Sequence, residues 1–183
     1  MEKELLNRLK STPVIAAVRD KFFSDAVSSS AGVIFLLGGN LLTIEQRVKV
    51  AHENGKLLFL HIDLAEGIGK DKTGIDFLKR VGVDGILSTK ALLVRMAKEL
   101  GLYTVQRFFA YDSHGIEGIA DMVANARPDI IEIMPGVIGK IIERFAKLEV
   151  PLIAGGLIED KNEVSNALLL GALAVSTGKK ELW

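Results

Sequence analysis

Pro151-Leu152-Ile153-Ala154-Gly155-Gly156 and, one helix-length later, Ala172-Leu173-Ala174-Val175-Ser176-Thr177-Gly178 are the segments whose reading decides the fold. Each is a short apolar run that ends abruptly in small or hydroxylated residues, as a strand buried on both faces does where it meets a loop. Between them, Asp160 with Glu163 resembles a capping box ahead of a helical run over 161–170, and Gly171 offers the left-handed stop that a helix end favours. Strand, cap, helix, glycine and strand in that order make one β/α unit with parallel strands.

The same order repeats along the chain. Apolar runs occupy 14–18, 33–37, 57–63, 85–88, 103–109, 130–134, 151–154 and 172–176, at intervals of roughly 20 to 25 residues, enough for one strand, one short helix and two tight connections. Thr43 with Gln46 forms a capping-box pattern ahead of a helix over 45–54. Gly55, Gly82 and Gly101, like Gly171, each follow a helical run and precede a strand, while Pro128 and Pro151 end two further helices by position. Eight alternating units favour a closed α/β barrel of the TIM type, (β/α)8, over an open doubly wound sheet. Residues 1–183 then form a single domain. Such barrels usually take about 250 residues, so this one is compact, with short loops, a short first helix over 22–30 and a truncated last helix, because only 179–183 follow the final strand.

Composition narrows the functional classes. With 49% hydrophobic residues the chain can bury one substantial core. Its longest apolar stretches, such as 167–175, fall well short of the roughly 20 residues needed to cross a bilayer. Residues 1–10 are charged and amphipathic, with Leu5, Leu6 and Leu9 on one helical face, unlike a signal peptide, so a cytoplasmic location is expected. Cysteine is absent, which excludes disulfides, thiol nucleophiles and cysteine-ligated metals. Twenty-three basic residues balance twenty-three acidic ones, which argues against a general nucleic-acid binder but leaves room for a local basic patch.

In a barrel of this type function sits at the carboxyl ends of the strands. Gly155-Gly156 after the seventh strand and Ser176-Thr177-Gly178 after the eighth suit a phosphate: glycines admit close approach of backbone N–H groups, hydroxyls add donors, and barrels commonly hold phosphate between these two loops. His61 and Asp63 have the same strand parity and should both point inward, where they could act as acid and base, bind a divalent ion, form a buried pair or bind ligand hydroxyls, the reading preferred here. Arg19 and Arg107 end the first and fifth strands and offer planar forks for phosphate or carboxylate, or alternatively pair with Glu132 or Asp63. Lys90, Lys179 and Lys180 add positive charge at the same end. No strand interior carries the lysine of a Schiff-base aldolase, no G-x-S-x-G pattern occurs, and His52 and His114 read as solvated helix residues.

Taken in succession, Pro13-Val14-Ile15-Ala16-Ala17-Val18-Arg19, His61-Ile62-Asp63-Leu64, Gly85-Ile86-Leu87-Ser88-Thr89, Gln106-Arg107-Phe108, Ile131-Glu132-Ile133-Met134-Pro135-Gly136, Ala154-Gly155-Gly156 and Leu182-Trp183 resemble the glycerol uptake operon antiterminator family. The resemblance implies a compact barrel that binds glycerol 3-phosphate and the leader messenger RNA of a glycerol utilisation operon. It implies a regulator rather than an enzyme, without cofactor, metal or membrane partner, and leaves a homo-oligomer open. By position it makes Arg19, His61, Asp63, Ser88, Gln106, Arg107, Glu132, Gly155, Gly156, Ser176 and Thr177 candidate ligand contacts, and Lys90 and Arg107 candidate RNA contacts. Lys90 stands where the family often has arginine, and Ala65-Glu66 where a more basic pair is expected. No aromatic-rich basic stripe of the kind single-strand binders use is evident in the sequence. The competing class is a small sugar-phosphate lyase or isomerase on the same scaffold.

Overall fold

A computed structural model describes residues 2–183, with the side chains of Glu2, Lys3 and His114 outside the described set, as is Met1 at the head of the amphipathic run. Eight parallel strands close in sequence order into a barrel: β1 (Val14–Val18), β2 (Val33–Leu36), β3 (Leu57–His61), β4 (Gly85–Ser88), β5 (Tyr103–Phe109), β6 (Ile130–Met134), β7 (Leu152–Gly155) and β8 (Ala174–Thr177), with β8 pairing back onto β1. Helix α1 (Glu2–Ser11) precedes the barrel, and α2 (Phe23–Ser28), α3 (Ile44–Glu53), α4 (Lys72–Arg80), α5 (Ala91–Glu99), the pair α6 (Ser113–Glu117) and α7 (Ile119–Ala126), α8 (Gly139–Phe145) and α9 (Lys161–Leu169) form the outer ring. β8 is followed by a 3-10 turn, Lys180–Leu182.

Alternation along each strand divides the core into layers. Inward residues Ile15, Val33, Phe35, Phe59, Val105 and Ile153 fill the barrel, and Leu5 and Leu9 of α1 join them, so α1 closes the amino-terminal end. Phe59 tilts against Phe35 at 5.5 Å and stacks on Tyr103 at 6.0 Å. Gly85 makes room for this ring, because a Cβ there would lie 2.4 Å from Phe59 Cε1. Outward residues such as Leu58, Leu60 and Ile86 pack beneath α3 to α5, and Ile131, Ile133 and Ala154 beneath α7 to α9. At the closed end, Asp84 accepts the Leu58 N–H at 2.7 Å and Asp129 accepts the Thr104 N–H at 2.9 Å, each tying the start of one strand to the loop before the next.

The helix punctuation holds in part. Gly55, Gly82, Gly101 and Gly171 all adopt positive φ after their helices. Asp160 caps α9 by accepting the N–H groups of Asn162 and Glu163, although Glu163 reaches back to Glu159 N–H at 2.6 Å instead of to the cap residue. Thr43 does not cap α3; Asn40 Oδ1 accepts the N–H groups of Leu42 and Thr43 and starts the turn earlier. Pro151 ends no helix, since α8 stops at Phe145. The strand expected over 57–63 ends at His61, where the chain tightens into a 3-10 turn, Ile62–Leu64. Among the described residues no helix is long and apolar enough to cross a membrane.

Candidate functional site

The open, carboxyl-terminal end of the barrel holds a cavity of about 330 Å³ between the loops after β7 and β8. Gly156, Leu157 and Ile158 form one wall and Ser176, Thr177 and Gly178 the other, with Arg107 below and Ala17 and Leu37 on the far side. Thr177 Oγ1 fixes the two walls to each other by donating to Ile158 O at 2.7 Å, while accepting the Lys179 N–H at 3.1 Å. Trp183 Nε1 donates to Thr177 O at 2.8 Å and anchors the chain end beneath the same loop. Among the described residues the backbone N–H groups of Gly156, Leu157 and Gly178 have no protein acceptor. Leu157 takes a left-handed backbone, φ 62°, with its side chain 69% exposed, the sort of local strain that clusters at ligand sites.

Beneath the cavity lies a buried ionic unit. Glu132, fully buried on β6, accepts from Arg107 Nε at 2.5 Å and from Ser176 Oγ at 2.5 Å. Register explains the first contact, since Arg107 and Glu132 are neighbours on β5 and β6 and share the inward face. Gly155 leaves the space for the second: a Cβ there would come within 2.6 Å of both Glu132 Oε1 and Ser176 Oγ. One guanidinium N–H is used on Glu132, and the Nη groups make no hydrogen bond among the described residues. Arg107 is thus paired and available at once, the two alternatives left open by the sequence.

His61 projects inward from the end of β3, 4% exposed, and its Nδ1 has no partner among the described residues. Burial and, next, the charge of Arg107 push its pKa below the ordinary value, against weaker upward pulls from Asp63 and Glu132. The imidazole is therefore neutral at physiological pH and ready to hydrogen-bond an uncharged polar group.

Asp63 does not share that pocket. The 3-10 turn carries it to β4, where its carboxylate accepts from Ser88 Oγ at 2.6 Å and from the Thr89 N–H and Oγ1, both at 2.8 Å. Burial alone would raise its pKa, but these hydrogen bonds outweigh it and hold the carboxyl below the usual range. No hydrogen bond joins His61 to Asp63, and no cluster of three His, Asp or Glu suited to a metal occurs among the described residues. Ser88 also accepts the Lys90 N–H at 3.0 Å, so Asp63, Ser88 and Thr89 brace the start of α5.

Gln106 faces the other way. Its neighbours Val105 and Arg107 point into the barrel, so Gln106 lies under the helical ring, fully buried, with neither amide atom hydrogen-bonded. It leaves the set of ligand contacts on geometric grounds. Arg19, one residue past β1, is exposed; its carbonyl accepts the Phe22 N–H at 2.9 Å, and its guanidinium forms no ion pair or hydrogen bond among the described residues. Lys90 is exposed at the start of α5, whereas Arg107 is only 7% exposed, which suits a cavity ligand and not an RNA contact. Of the candidates, Arg107, Gly156, Ser176 and Thr177 line the cavity; Gly155 and Glu132 support its floor, and His61 stands beside that charge pair. His52 is not simply solvated but bonds Asp84 at 2.9 Å, and the side chain of His114 lies outside the described residues.

Missing from the sequence reading were Ala17, Leu37 and Leu157, apolar residues that carry no chemical signal, and the aromatic pair Phe109 and Tyr111. Phe109 could have been found, for it shares the inward parity of Arg107 at the end of β5.

The profile of a family described as glycerol-3-phosphate responsive antiterminator matches residues 14–183. The chain is 40% identical over 182 residues to the Escherichia coli (strain K12) protein YgcP, covering 98% of this chain and 95% of that protein. It superimposes on a glycerol uptake operon antiterminator regulatory protein from Listeria monocytogenes with TM-score 0.87, at 33% identity over 93% of this chain and 94% of the other. A glycerol uptake operon antiterminator-related protein from Thermotoga maritima gives TM-score 0.84, at 30% identity over 94% and 98% of the two chains.

Proposed function

Because the chain belongs to the glycerol-3-phosphate responsive antiterminator family, we propose that it binds glycerol 3-phosphate at the barrel mouth and, so loaded, holds the leader messenger RNA of a glycerol utilisation operon against premature termination. The observation that carries this reading is the cavity between the β7 and β8 loops, with unbonded N–H groups on both walls and a guanidinium below. Such an arrangement presents several converging donors to one anion. The phosphate sits against Gly156 and Gly178, helped by Arg107, and Gly155, Ser176, Thr177 and Glu132 shape that pocket. The glycerol hydroxyls then reach toward the neutral imidazole of His61.

Asp63 and Ser88 act through the loop they brace, and Arg19 and Lys90 supply positive charge at the rim. The protein works as a sensor and not a catalyst: none of the eight strands contains a lysine, and Lys179, which lines the cavity, is ion-paired with Glu159 at 3.3 Å, unlike the desolvated strand lysine of a Schiff-base lyase.

Ligand and RNA should bind with reciprocal coupling of about 5- to 150-fold in affinity. The test is titration of a fluorescent leader RNA from the glycerol operon of the same genome, with and without saturating glycerol 3-phosphate, at two salt concentrations. The ligand is expected to tighten the RNA, and salt to weaken it. Coincident isotherms with and without ligand would overturn the mechanism.

A further inference from the structure

Many of the exposed apolar side chains gather at one end of the barrel, although Met122 on α7 and Leu169 at the end of α9 do not. Phe22, Leu42, Leu64, Tyr111 and Leu157 follow β1, β2, β3, β5 and β7, and Phe109 ends β5, so these six lie at the open end of the barrel. An apolar rim around a functional cavity marks a surface that meets something. Its most organised part is the loop after β5, where Tyr111, 81% exposed, lies nearly parallel to Phe109 with ring centroids 5.3 Å apart and an interplanar angle of 8°. One face of Tyr111 rests on Phe109 and the other is open.

We propose that the Phe109–Tyr111 pair is the platform on which an unpaired base of the RNA stacks. The inference rests on the antiterminator reading above and gives that reading a contact surface. An open aromatic face beside a charge-neutralised rim, with Lys90 left unpaired among the described residues, suits a polyanion with aromatic bases. Most carboxylates near the mouth are already engaged: Asp20 with Arg47, Asp25 with Lys180, Glu159 with Lys179 and Glu132 with Arg107. Asp112, next to Tyr111, accepts the Gly115 N–H at 2.8 Å as the cap of α6. Lys90, on the loop after the adjacent strand β4, has no ion-pair partner among the described residues. Proteins hold single-stranded nucleic acid by stacking bases on open aromatic faces and drawing phosphates to cations, and here the ring and Lys90 stand on the loops of adjacent strands. Duplex RNA would not fit, because its base faces are already stacked.

The placement also links the platform to the ligand. Arg107 and Phe109 share the inward face of β5, the first under the cavity and the second at its rim. Phe109 is in register with Met134, which lines the cavity, and the Ala110 N–H donates to Met134 O at 2.7 Å. An anion seated on Arg107 thus bears on the strand that carries the platform.

The experiment compares the full-length wild type with Tyr111→Ala and Tyr111→Phe, each saturated with glycerol 3-phosphate, for binding of the fluorescent leader RNA and of a fully paired duplex of the same length. Tyr111→Ala is expected to weaken the leader by between about 5- and 150-fold, the range of one stacked base, and Tyr111→Phe to keep wild-type affinity. Thermal stabilisation by glycerol 3-phosphate and the molecular mass in solution should be the same for all three, and the duplex should bind poorly throughout. Wild-type affinity in Tyr111→Ala would overturn the platform while leaving the antiterminator reading intact, as would a change of oligomeric state, which would make the rim a self-association surface. Failure of the wild type to bind the leader would overturn the antiterminator reading and the platform with it.

Discussion

Arg107 and Glu132 stand side by side on β5 and β6 with Nε and Oε2 2.5 Å apart, and this buried pair forms the floor of the cavity. The carboxylate is shared with Ser176, so all three positions are set together and the guanidinium is held with its remaining donors free. A buried charge pair of this kind is costly to break, since either member alone is left desolvated and uncompensated.

Arg107→Ala and Glu132→Ala are each expected to lower stability by about 3–5 kcal/mol. Urea unfolding measures this directly. A loss under about 1 kcal/mol, the worth of an exposed pair, would show that the floor is solvated rather than built as described.

Glycerol 3-phosphate should raise the melting temperature and glycerol should not, because the cavity walls present donors for an anion. The informative variant is Gly178→Val. A Cβ at Gly178 meets nothing closer than Ala17 O at 3.6 Å, so the side chain enters the anion's space without disturbing the fold. Gly156→Val is a poorer probe, since φ is 77° there and a Cβ would lie 2.6 Å from Met134 Cε. Equal shifts with both ligands, or an undiminished shift in Gly178→Val, would remove the phosphate site.

Acidification should destabilise the protein in two stages. His61 is depressed by burial, so the unfolded chain binds its proton first; stability begins to fall below about pH 6.5 and goes on falling until the lower folded value is passed. Asp63, depressed by its hydrogen bonds, contributes stability that is present above about pH 3.9 and lost as pH falls through its own lower folded value. His61→Gln should flatten the upper stage and leave the lower one, as read from urea midpoints across pH. An unchanged upper stage would assign it to another group.

No turnover of glycerol 3-phosphate, dihydroxyacetone phosphate or related aldoses is expected, with or without divalent metal, because no strand lysine faces the cavity and His61 has no carboxylate partner. Coupled assays and phosphorus NMR check this. Turnover that disappears in His61→Ala would make the protein an enzyme.

Eight apolar runs with glycine stops are enough to place every strand within two residues at either end and to put Gly155-Gly156 and Ser176-Thr177-Gly178 where β7 and β8 meet their loops. Strand parity holds only as far as the strand itself runs, and it does not say which of its two faces is the pocket. Parity gives Asp63 the direction of His61, but the chain turns at Ile62 and sends it to Ser88. Gln106 and Arg107 both bring polar groups to β5, yet neighbours on a strand face opposite ways, and only the closed barrel makes one of those sides the pocket.

From its own local order, then, this chain determines a parallel barrel with its polar groups at one end, because strand, cap and glycine stop are written within a few residues of each other. Tertiary closure decides which of those groups meet. Glu132 reaches Ser176 over a separation of 44 residues, the Arg107 fork is left part-used by that bond, and Phe109 and Tyr111 come to stand on the same rim as Leu157 and Phe22. Such contacts depend on register and on the fall of the chain after each strand, quantities that the alternation of apolar residues carries only as far as the last ladder hydrogen bond.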